Sequence, residues 1–137
     1  MTEPFGFGDE PTLPPPIDRA GALHYQWGAK CDGWHLVRGE HLSVIAERMP
    51  PGTAETRHRH SQAEQFFFVL SGELTIERNR TVSVVPAGAG LSVPPGVAHE
   101  VRNAGRVAAE FLVVSTPPSH GDREEVPRDL GGDSDGR

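Results

Sequence analysis

Cysteine, lysine and tyrosine each occur once in the 137 residues, as Cys31, Lys30 and Tyr25. A lone thiol has no partner for an internal disulfide, and no CxxC pair offers a zinc ribbon or a redox dithiol. Cys31 therefore reads as a small semi-buried residue, and a cytoplasmic location is expected. An excess of positive charge is lacking as well: 13 Lys and Arg stand against 19 Asp and Glu, a formal net charge of -6, with the arginines dispersed among acids. A phosphate backbone demands the opposite sign, so no nucleic-acid partner is expected. No stretch approaches the roughly 20 apolar residues that cross a bilayer. The opening MTEPFGFGDEPTLPPP has neither the basic start nor the apolar centre of a secretion signal, and no membrane partner is expected. Also missing are a Ser-His-Asp order and a phosphate-cradling glycine loop, since Gly88-Ala89-Gly90 leads into a short strand-like run and not a helix.

What is abundant is punctuation. Sixteen glycines and thirteen prolines separate short runs rich in Val, Leu and Phe, which favours many turns over long helices. Runs of strand character fall near 24–27, 34–38, 42–48, 55–60, 65–71, 73–78, 81–85, 91–94, 98–103 and 107–115, while no apolar period of 3.6 residues persists over a dozen positions. The turns are too short for crossover helices, so the strands pair antiparallel. The expected fold class is all-β, a closed or double-sheet barrel that leaves few exposed edges. Residues 1–20 form a Pro-rich arm, 21–118 the barrel domain, and 119–137 a polar tail too poor in apolar residues to offset the entropy of ordering.

The chemistry is concentrated in two stretches. In the first, His58 and His60 stand two apart on a strand and share one face, while Arg57 and Arg59 point the other way. Two imidazoles can then reach one ion, and imidazole suits several transition metals. In the second, His99 follows the Pro94-Pro95-Gly96 turn and opens a strand, so its direction is set by rigid local geometry. His24, His35, His41 and His120 have no second histidine at a chelating spacing and read as surface or partly buried polar residues. Met49 and the Phe66-Phe67-Phe68 run read mainly as packing, with Phe67 a lesser candidate for stacking on substrate. Asn103 reads as a backbone hydrogen-bonding residue at a strand end.

Gly52, His58, His60 and Gly72 match the first motif of the cupin superfamily, and Gly88, Pro94, Gly96, His99 and Asn103 match the second, nine positions in register. The chain resembles that superfamily over roughly residues 42 to 116. The resemblance implies a jelly-roll barrel, a double-stranded β-helix, holding one divalent transition metal (Fe, Mn, Zn, Ni or Cu) on three histidines and the motif's glutamate. Here the chain departs from the pattern. Gln65 occupies the acid slot when both motif gaps are kept, whereas Glu64 satisfies the gap from His60 and misses the gap to Gly72. Only one of the two can face inward, and Gln65 is the expected fourth ligand with Glu64 the alternative.

A set of three imidazoles and a neutral amide leaves the ion's charge uncompensated, which strengthens its Lewis acidity and draws an anionic small molecule. Four protein ligands leave two positions open on an octahedral ion. The expected function is a metal-dependent enzyme, dioxygenase-like, acting on a small oxygenated organic molecule. The alternative is a non-catalytic module that binds or senses a small molecule through the metal. A sugar isomerase or epimerase ranks third, because Lys30 and Tyr25 both precede the motif region. Apolar residues on both faces of 65–71 imply that the outer face is covered, by the Trp27 and Trp34 segment of the same chain or of a partner, and a homodimer is expected.

Overall fold

A computed structural model of the chain describes residues 10–119 and 121–128. Eleven strands and no helix occur among the described residues: β1 (Leu23–Trp27), β2 (Cys31–Arg38), β3 (Ser43–Met49), β4 (His58–His60), β5 (Glu64–Ser71), β6 (Glu73–Arg78), β7 (Thr81–Pro86), β8 (Gly90–Val93), β9 (His99–Arg102), β10 (Ala109–Thr116) and β11 (Arg123–Glu125). They build two antiparallel sheets, one in the order β1-β2-β3-β10-β5-β8 and the other β11-β4-β9-β6-β7. This is the jelly-roll barrel expected from the sequence.

Strand parity packs its interior. Along β5, Gln65, Phe67 and Val69 are buried while Glu64, Phe66 and Leu70 are exposed. Phe67, Val69, Met49, Leu74, Ile76, Val101 and Phe111 meet between the sheets in one apolar cluster. Burial of that area is the main favourable term in folding. Two corners show why their residues are needed. Gly72 turns β5 into β6 at a φ of 74°, and a Cβ there would meet the Ala108 carbonyl oxygen at 2.5 Å. Asn79 and Arg80, both at positive φ, make the two-residue reversal between β6 and β7 that suits strand twist.

The structure departs from the sequence reading in three places. The run at 55–60 is strand over His58–His60 alone, and Ala54, just before it, makes a separate bridge to Arg102. The Trp27 and Trp34 hairpin does not cover β5 of its own chain: it extends the sheet beyond β3, with β3 and β10 between it and β5. Arg19 instead lies over Trp34, 4.3 Å from the ring, and bonds Glu110 at 2.7 Å. The stretch read as an unordered polar tail contains β11, whose Arg123, Glu124 and Glu125 pair with His60, Arg59 and His58. Backbone pairing and the Arg59–Glu124 ion pair, 2.8 Å, hold a segment that has little apolar surface to bury. Residues 1–9 of the arm and 129–137 of the tail lie outside the described residues.

Candidate metal centre

Each of the three motif histidines is fixed by what holds its strand. β4 is short and lies between β9 and β11, with His58 directly opposite His99. The Pro94-Pro95-Gly96 turn is tied to β4 because the Gly96 N–H donates to the His60 carbonyl at 2.7 Å, at a φ of 81° that favours glycine. Arg57 and Arg59 project from the opposite face, Arg57 gripping Glu77 at 2.7 and 2.9 Å.

The result is a buried trio whose ligand atoms all lie within 4.8 Å of one another. Ligands about 2.1 Å from an ion stand roughly 3 Å apart when adjacent and about 4.2 Å apart when opposite, so small shifts of the rings would let the three share a single ion. All three rings are held through Nδ1. His58 Nδ1 meets the Thr56 carbonyl at 2.7 Å, His99 Nδ1 the Val97 carbonyl at 3.0 Å, and His60 Nδ1 the Asp122 carboxylate at 2.8 Å. A ring that donates from Nδ1 to an oxygen keeps its lone pair at Nε2, the state a metal needs. His99 Nε2 is buried without a partner. Burial, above all, holds His58 down to about 3 and lowers His99 as well, so both rings stay neutral at ordinary pH.

Gln65 is buried and faces the same cavity, whereas Glu64 is on the exposed side of β5. Its Nε2 donates to Ser115 Oγ at 3.0 Å, and its Oε1 is buried with no partner. An unpaired buried carbonyl oxygen costs free energy unless something occupies it, and a cation would. His24 bonds Asp32 at 2.9 Å, His35 packs on Tyr25 and His41 is exposed, so none of these joins the cluster. His120 lies outside the described residues. Asn103 is buried and donates to the Met49 and Val107 carbonyls at 2.9 and 2.8 Å, a strand-end clamp and not a ligand.

The cavity beside the trio measures about 280 Å³. Ile45, Phe67 and Val113 give it an apolar wall, and Tyr25, Glu47 and Glu55 a polar one. Tyr25 thus lies over the pocket despite preceding the motif region, because the β1–β2 hairpin folds back beside β3. Burial raises Glu47 to about 8, with Glu55 adding repulsion; burial likewise raises Glu55 to about 7, against the pull of Arg123. Sequence reasoning missed Glu47, Glu55 and Asp122. For Glu47 a signal existed: parity places it on one face of β3 with Ile45 and Met49. Asp122 lies in the polar tail, where composition gives no hint.

The family model for the cupin domain matches residues 46–115. An uncharacterized protein of Methanocaldococcus jannaschii is 28% identical over 91 residues, covering 66% of this chain and 73% of that protein. Among solved structures, a polyketide cyclase from Streptomyces resistomycificus superposes with a TM-score of 0.71 at 15% identity, over 86% of this chain and 89% of that one. A predicted oxalate decarboxylase from Thermotoga maritima superposes with a TM-score of 0.68 at 19% identity, over 74% and 98%. At these identities the structural likeness is one of fold.

Proposed function

The chain belongs to the cupin family, and from that premise we propose that it is a metal-dependent enzyme acting on a small oxygenated molecule. One divalent transition ion is held by His58, His60, His99 and Gln65. The observation that carries this reading is the gathering of three buried imidazoles whose ligand atoms lie within 4.8 Å of one another, with Gln65 Oε1 buried and unpartnered in the same cavity. A divalent ion there supplies Lewis acidity toward bound oxygens and lowers the pKa of bound water. The protein's own part is to keep three rings in one tautomer, to aim the Gln65 carbonyl, and to exclude water behind Phe67 and Val113.

A substrate presenting two oxygens suits the two positions that four protein ligands leave on an octahedral ion. The cavity volume admits a molecule at the small end of ligand size. Two fold neighbours, a polyketide cyclase and a predicted oxalate decarboxylase, act by name on oxygen-rich carbon compounds, which supports the same class here. Dioxygenation is the chemistry that iron would supply if His58, His60, His99 and Gln65 held it. A metal-dependent binding module uses the same ligands without turnover.

The test is elemental analysis of the purified protein, followed by oxygen uptake with iron, under air, against diketones and catechols. One equivalent of metal, lost in His99→Ala, is expected, with uptake that depends on both substrate and His99. Protein that retains its metal in His99→Ala refutes the site. Metal without turnover leaves the binding module.

A further inference from the structure

We propose, resting on the metal-enzyme reading above, that Glu47 is the proton-transfer residue of the cavity, oriented by Tyr25, and that the substrate is a small uncharged enolisable carbonyl compound with a second oxygen beside the carbonyl. The histidines enter the cavity from one sheet and Glu47 from the other. Glu47 is therefore placed across the space a ligand would fill. The Tyr25 hydroxyl donates to Glu47 Oε2 at 3.0 Å, which fixes the carboxyl without neutralising it. Arg123, the cation lining the same cavity, stands 3.9 Å from Glu55 instead.

A carboxyl set against an apolar wall, next to another carboxyl and without a paired cation, is a poor structural ion and a good proton carrier. Its raised value, about 8, lets it hold or release a proton near neutrality, where general acid–base groups work best. Two carboxyls in the polar wall, as they ionise near 7 and 8, also disfavour a substrate that arrives as an anion. A neutral ketone avoids that repulsion, and its negative charge arises only after the proton has left.

The step balances without a redox partner. Glu47 takes the hydrogen on the carbon beside the carbonyl as a proton. The C–H electron pair becomes the new C=C bond, and the carbonyl π pair moves onto its oxygen. Return of the proton to the same carbon gives back the ketone; its delivery to the former carbonyl carbon, with the hydroxyl proton passing to the neighbouring oxygen, gives the aldehyde isomer.

Hydroxyacetone in D2O, with the nickel-loaded protein under nitrogen, provides the test. Deuterium entry at the carbon bearing the hydroxyl is followed by NMR, metal content by atomic absorption, and hydroxyacetone affinity by calorimetry. Glu47→Gln is expected to slow deuterium entry about 100-fold, with metal content and affinity unchanged. Tyr25→Phe, which removes a hydrogen bond that lowers Glu47, moves the pH midpoint of exchange upward. Wild-type exchange in Glu47→Gln overturns the proposal, and so does loss of metal in that variant, which would make Glu47 a ligand. Metal and hydroxyacetone bound by wild type without exchange also overturn it, while leaving the metal site standing. Absence of metal from wild type refutes the underlying reading instead.

Discussion

Gln65 stands where the family pattern places a glutamate, and its surroundings explain how an amide serves there. Ser115 takes the Nε2 hydrogen, so the amide dipole is oriented with its oxygen into the cavity. As a neutral fourth ligand Gln65 would leave an ion more strongly charged than a carboxylate would, favouring tight binding of substrate oxygens over tight binding of the metal. Gln65→Ala is therefore expected to weaken metal affinity about tenfold or more, and Glu64→Ala to leave it unchanged, because Glu64 lies on the exposed face of β5. Isothermal titration with zinc or nickel measures both. The choice between Gln65 and Glu64 was open in the sequence since both faces of that strand are apolar. Spacing favoured Gln65, and only the packed sheets show which face is interior.

At the scale of elements, the histidine trio depends on a strand that composition hides. β11 pairs with β4, and Asp122, just before it, accepts from His60 Nδ1 at 2.8 Å and from the Gln62 and Ala63 N–H groups at 3.1 and 3.0 Å. One carboxylate thus fixes both a ring and the loop that leads into β5. Asp122→Ala is expected to lower metal affinity about 10- to 100-fold with the fold intact by circular dichroism, as loss of a carboxylate behind a ligating histidine does elsewhere. The central strands were legible because their alternation and glycine turns are local signals. The motif histidines were legible because their gaps are fixed by two such turns. Asp122, Glu47 and Glu55 were not, since their roles come from contacts between distant strands that no local pattern records.

The whole molecule carries two opposed sets of buried ionisable groups. His58 and His99 are lowered from 6.5, so their contribution is whole above 6.5 and is lost as pH falls, when the unfolded chain takes up protons the folded one refuses. Glu47 and Glu55, raised from 4.5 to about 8 and about 7, contribute fully below 4.5 and lose that contribution as pH rises through 7 and 8. Between 4.5 and 6.5 the trends offset, and the metal-free protein is expected to show its highest Tm there, with a decline on either side. Scanning calorimetry in chelator checks this, and a Tm climbing steadily from the acid side through pH 8 would contradict it. The outer face of β5 leaves Phe66 40% and Leu70 50% exposed, which supports pairing of two copies across that face. Light scattering is expected to give twice 14.8 kDa, and Leu70→Glu to return the monomer mass. The position of β11 in the chain also orders events in time. It leaves the ribosome after β4, the strand it pairs with, so the imidazole at His60 is steadied only once the rest of that sheet has been synthesised.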